Sequence, residues 1–194
     1  MYKKQMLTQR IVCYVLLFAA VLVFIYSLGL VTDLHYNNFN LYAEDPKHPY
    51  FEGAEIYNDI QPFNSQLTTL GIALILSVAL LFVFGTQNRR KYYIGNYITI
   101  GIHAVLSVFT AVFGIINVIK YKEAYLKIDF EALKWWQQEL ELPYDISPFW
   151  FDIGPIVFGI LLFATLLSIL NLIFKVYVMR GEKRLLIGEE AHNG

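Results

Sequence analysis

The sequence predicts an all-α integral membrane protein, a bundle of four transmembrane helices with two long outer loops. Three observations predict it. The 194 residues are 57% hydrophobic and only 16% charged, where a soluble domain carries about a quarter charged residues. The apolar residues gather into four runs, about 11–31, 67–84, 94–119 and 153–178, each close to the roughly 20 residues that cross about 30 Å of hydrocarbon as helix. The connections between runs alternate in charge.

The first run follows Lys3, Lys4 and Arg10, with no acid among them. Its apolar core is too long for a removable leader and no small-x-small cleavage site follows, so it is predicted to stay as a span. Tyr14, Tyr26 and Ser27 suit anchoring at the membrane interface. Cys13 is the single cysteine, which leaves the outer loops without an internal disulfide and points to a bacterial plasma membrane.

Residues 32–66 hold Asp33, Glu44, Asp45, Glu52, Glu55 and Asp59 against Lys47. Gly71, Ser77 and Gly85 interrupt the second run. Arg89, Arg90 and Lys91 stand unopposed in the short connection 85–93. Residues 121–152 are acidic again, with Glu123, Asp129, Glu131, Glu139, Glu141, Asp145 and Asp152 against Lys122, Lys127 and Lys134. Lys175, Arg180, Lys183 and Arg184 accompany the end of the fourth run. Basic segments stay on the cytoplasmic side. Segments 1–10, 85–93 and 179–194 are therefore predicted inside, and loops 32–66 and 120–152 outside.

A short motif occurs twice, Asp59-Ile60-Gln61-Pro62-Phe63 and Asp145-Ile146-Ser147-Pro148-Phe149, with Tyr57 and Tyr144 just upstream. It suggests a duplicated helical hairpin whose two copies share an orientation. The competing explanation is that Pro and Phe are common where a chain re-enters a bilayer. Asp59 and Asp145 are expected to cap the second and fourth spans, with Pro62 and Pro148 in the first turn, where no amide donor is needed.

The third run carries a helical stripe: Asn96, Thr99, His103, Ser107, Thr110, Gly114 and Asn117 recur at spacings of three and four, one face of a helix. Ile98, Ile102, Val105, Phe109, Val112 and Ile116 lie opposite. Small and hydroxylated residues let helices approach closely, so the stripe is expected to face protein. A looser face on the fourth run holds Gly154, Thr165, Ser168, Asn171 and Lys175. The two faces are expected to meet, or to meet a partner together, with Lys175 reaching the headgroups. His103 is the one titratable residue deep in the membrane, which marks a candidate for proton or substrate handling. The plainer expectation is an imidazole held by Ser107, Asn171 or a carbonyl.

The outer loops are rich in aromatic residues and are expected to form a small acidic cap. An amphipathic helix is predicted over 123–140, its apolar side formed by Leu126, Phe130, Leu133, Trp136 and Leu140. A partner or ligand surface is expected from Tyr57, Asp59, Trp135, Trp136, Tyr144, Asp145, Phe149 and Trp150. The bland alternative is that these rings anchor the loops among headgroups.

No phosphate-cradling glycine loop, HExxH or CxxC is present, so neither cofactor nor metal is expected, nor is nucleic-acid binding. The layout resembles claudin-like and tetraspanin-like proteins in outline only, since their Trp-Gly-Leu-Trp and Cys-Cys signatures are missing. The reading that results is a non-enzymatic subunit, accessory to a bacterial transporter-like complex, meeting lipid and other membrane subunits in a hetero-complex or homo-oligomer. Two rivals stand beside it: a small oligomeric transporter or channel, and an enzyme on lipid or cell-wall precursors using Asp59, Asp145 and Asp152.

Overall fold

The computed structural model describes residues 2–33, 56–85, 93–131 and 147–192. They form four long helices: α1 (Tyr2–Asp33), α2 (Ile56–Gly85), α3 (Tyr93–Tyr125) and α4 (Phe149–His192), with no strand among the described residues. Each contains a stretch long and apolar enough to cross a membrane, namely Leu7–Leu30, Asp59–Phe84, Gly95–Tyr125 and Phe149–Val178. Four such helices are the signature of a multi-pass membrane protein.

The helices form a square. α1 and α3 each pack against both α2 and α4, so α1 lies diagonally across from α3 and α2 from α4. Every neighbouring pair is antiparallel. Tyr14 meets Phe82 between α1 and α2, and Ser77 meets His103 between α2 and α3. Lys122 pairs with Asp152 between α3 and α4, and Tyr26 meets Phe158 between α1 and α4. One end of the bundle, here the termini end, carries the start of α1, the end of α2 and the start of α3. The other, the loop end, carries the starts of α2 and α4.

Leu16, Ala19, Ala20, Val23, Leu74, Val78, Ala111, Phe158, Leu161 and Ala164 are buried in one cluster along the middle of the bundle. Glycines set the closest approaches. A Cβ at position 114 would overlap the Phe158 ring, and one at position 154 would lie 2.6 Å from the Tyr26 hydroxyl oxygen. The outward faces are apolar too, as Ile11, Phe18, Leu76, Ile102, Val105 and Phe163 show.

Several boundaries differ from the sequence expectation. α2 starts at Ile56, not near residue 67, because Ile56, Ile60, Phe63 and Leu67 form a buried face on an otherwise polar segment. Pro62 therefore sits inside the helix instead of in its first turn, while Asp59 is in that turn and exposed. Tyr121 of α3 donates to the Asp59 carbonyl, in the turn before Pro62, at 2.7 Å.

The amphipathic helix predicted from residue 123 is also interrupted. α3 itself continues to Tyr125, and a turn follows, closed by Lys127 N donating to Ala124 O at 3.1 Å and Ile128 N to Tyr125 O at 3.2 Å. Helical structure resumes at Phe130. Leu126, assigned to the apolar side, is exposed in that turn. Tyr125 takes the buried place, packed on Phe130 and Phe151. The remainder of that segment lies outside the described residues.

At the start of α4 the cap is Ser147, whose hydroxyl accepts from Phe149 N at 3.2 Å, and the Pro148 carbonyl accepts from Phe151 N and Asp152 N. Pro148 keeps its expected place at the helix entrance. Asp145 lies outside the described residues.

The two copies of the motif consequently occupy different places. Phe63 is buried against Phe113 and Tyr121, whereas its counterpart Phe149 is 53% exposed. The residues of α4 that match the helix position of Asp59-Ile60-Gln61-Pro62 are Asp152-Ile153-Gly154-Pro155, since Pro62 and Pro155 each fall six residues after their helix starts.

Candidate functional site

Polar side chains enter the bundle at three levels. At the termini end, Gln9 and Gln5 extend the buried stripe of α1 about one and two turns before Cys13, and all three are buried. Gln9 is the hub. Its Nε2 donates to Asn96 Oδ1 of α3 at 3.3 Å, and its Oε1 accepts from Asn171 Nδ2 of α4 and from Gln5 Nε2, both at 3.4 Å. One amide thereby joins three helices, including the diagonal pair α1 and α3. Asn96 Nδ2 and Asn171 Oδ1 are buried without a hydrogen-bond partner.

Lys175, one turn beyond Asn171, is only 4% exposed. The expectation that it reaches the headgroups is corrected: it lies at the inner layer, within electrostatic range of Cys13. The reason is the length of α1, whose polar N-terminal turns extend the bundle past the apolar run.

At mid-depth, His103 is fully buried. Its Nδ1 lies 2.7 Å from Ser77 Oγ and its Nε2 3.2 Å from Ser107 Oγ. The protons can be assigned by counting. Ser77 gives its single hydroxyl proton to the Leu74 carbonyl at 2.7 Å, so Ser77 Oγ accepts from His103 Nδ1–H, and Nε2 accepts from Ser107. A neutral ring protonated at Nδ1 satisfies every group. The partner from outside α3 is Ser77, not Asn171 as expected.

Towards the loop end, the single hydroxyl proton of Thr68 is shared between Ser27 Oγ at 3.1 Å and the Asn64 carbonyl at 2.9 Å. Tyr26 is buried and donates to the Trp150 carbonyl at 2.9 Å. It is a core residue rather than an interface anchor. Trp150 packs against Gly29, where a Cβ would lie 2.5 Å from the indole, so this ring serves the α1–α4 contact. Lys122 and Asp152 form an ion pair at the rim, with side chains 37% and 53% exposed.

The stripe residues Asn96, Thr99, His103, Ser107, Thr110 and Gly114 are buried, as are Thr165, Ser168 and Asn171, and Asn117 is partly buried. Their contacts are mostly within one helix. Thr99, Thr110, Asn117 and Thr165 each donate to the carbonyl four residues earlier, at 2.7–2.8 Å. Such groups ease close packing by being small while satisfying themselves locally.

The surface residues do not assemble into a site among the described residues. Asp59 and Phe149 are exposed, and Trp150 is engaged in packing. Tyr57 is in α2, with nothing described of its side chain. Trp135, Trp136, Tyr144 and Asp145, with most of the expected cap, lie outside the described residues. The sequence reading missed Gln5 and Gln9. Their spacing of four, continuing to Cys13 and then by three to Leu16, is the signal that would have found them.

No protein-family model, curated protein or solved structure matches the chain.

Proposed function

We propose that the chain is a non-catalytic four-span subunit of a bacterial plasma-membrane assembly, accessory to a transporter-like partner, with both termini cytoplasmic. The observation that carries the reading is the closed interior. Side chains such as Leu16, Ala19, Leu74, Phe158 and Leu161 fill the axis of the bundle, and the mid-membrane histidine is saturated by two serines. Among the described residues, apolar side chains fill the axis and polar groups bonded to one another hold the helices together, which supports a packed bundle over a conducting one.

The orientation rests on the basic residues at the termini end and the acidic loops. The polar faces of α3 and α4 are turned inward, so a partner would meet the outward faces or the loops. On α3 that face includes Ile98, Ile102 and Val105, beside Gly101, around which a Cβ would find nothing within 4 Å. An open notch of this kind admits a neighbouring helix.

Affinity purification from native membranes in mild detergent tests the proposal. A distinct membrane polypeptide is expected at a fixed ratio to the chain, and the purified chain alone is expected to move no solute in liposomes. Recovery of the chain by itself, with solute or current passing through it, would replace this reading with an oligomeric transporter.

A further inference from the structure

Around the bundle, the outward faces near the loop end are apolar on three helices: Ile25 and Leu28 on α1, Val112 and Ile116 on α3, Ile156 and Phe163 on α4. α2 is the exception. At the same height it exposes Ser65, Gln66 and Thr69. Thr69 donates to the Ser65 carbonyl at 3.0 Å, whereas the Gln66 amide makes no hydrogen bond with any described residue.

The depth of Gln66 makes this costly. Tyr121 bonds the Asp59 carbonyl, and Lys122 beside it pairs with Asp152, so Asp59 lies at the charged rim. Seven residues of helix carry Gln66 about 10 Å below that rim. An amide at such depth in lipid lacks the water that would satisfy it. Beside it an open hollow of about 320 Å³ is lined by Ser65, Gln66, Thr69, Leu70, Phe109 and Phe113. Phe109 and Phe113 lie nearly parallel there, with centroids 5.9 Å apart and planes 9° apart.

We propose that two copies of the chain pair across this patch, with the Gln66 amides reciprocally hydrogen-bonded at a two-fold axis along the membrane normal. A carboxamide carries one donor end and one acceptor end, so it is its own complement. A two-fold interface requires a self-complementary patch, because each residue meets the same surface on the other copy. Acyl tails offer neither donor nor acceptor, and phospholipid headgroups remain near the rim. The flat rings of Phe109 and Phe113 supply apolar contact area around the polar centre. The pairing is independent of the accessory role and compatible with a further partner.

Disulfide trapping in native membranes tests the proposal. Gln66→Cys in a Cys13→Ala background, treated with copper–phenanthroline, is expected to give a covalent dimer. Phe163→Cys, on the outward face of α4 diagonally across the bundle from α2, is expected to give none. In a second measurement, capture of an untagged copy by a tagged one is expected to fall about tenfold for Gln66→Leu and to be partly kept by Gln66→Asn. Absence of a dimer at position 66, equal trapping at 66 and 163, or capture unchanged by Gln66→Leu would overturn the pairing.

Discussion

At the scale of single residues, small side chains decide how closely the helices approach. Gly114 leaves no room for a methyl group against Phe158, whereas Gly101 faces outward with nothing near it. Gly114→Ala is expected to cost about 1–3 kcal/mol through overpacking. Gly101→Ala should change stability by no more than about 0.5 kcal/mol, as at other open surface positions. Reversible unfolding of both variants in mixed micelles checks the contrast; equal losses would mean that the α3–α4 contact is looser than described.

His103 is a second case. Its removal as His103→Leu breaks one link between α2 and α3, but Ser77 keeps its bond to the Leu74 carbonyl. The expected loss is about 1 kcal/mol, typical of one interhelical hydrogen bond in a membrane. His103→Gln, which keeps a donor and an acceptor, should lose less by the same unfolding measurement.

At the scale of elements, the helix starts are where sequence reasoning and structure part. The period of three and four along α3 was legible because polar residues mark it against an apolar background. The start of α2 was not, since Asn58, Asp59, Gln61 and Asn64 resemble loop until Ile56, Ile60 and Phe63 are seen to share a buried side. The short repeat is a related case. Four of the five letters at 145–149 match those at 59–63, whereas the residues of α4 at the matching helix position are Asp152–Pro155. For α4 the capping hydroxyl of Ser147 predicts that Ser147→Ala costs about 1 kcal/mol. Hydrogen exchange should then quicken in the first turn of α4 and stay unchanged beyond Leu161; unchanged protection of the Phe149 amide would exclude the cap. Tyr121→Phe removes the bond to the Asp59 carbonyl and should cost about 0.5–1.5 kcal/mol, with faster exchange at the start of α2.

At the scale of the whole molecule, the Gln9 amide reaches across the square and links α1 to both α3 and α4. Gln9→Leu would leave Asn96 Oδ1 and Asn171 Nδ2 without their partner, in a cluster that already holds an unbonded donor and acceptor. A loss of about 1–3 kcal/mol is expected for each buried polar group so stranded, and less than that if the two asparagines turn to each other. Unfolding of Gln9→Leu with and without Asn96→Leu distinguishes these outcomes: partial recovery in the double variant would show that the stranded asparagine carries the cost.

Sequence alone determined that there are four long apolar helices, and that one side of α3 is polar and small. It did so because hydrocarbon forbids unpaired backbone and charge over about 20 residues, which hydropathy records directly. Only the tertiary structure decided which apolar faces turn inward, that Tyr26 and Lys175 are buried, and that Gln9 joins three helices. In water, polarity separates the inside of a protein from its surface; in lipid both sides of α1 are equally apolar. The choice between them is made by shape, where a glycine meets a ring, and by the few polar groups that must find one another.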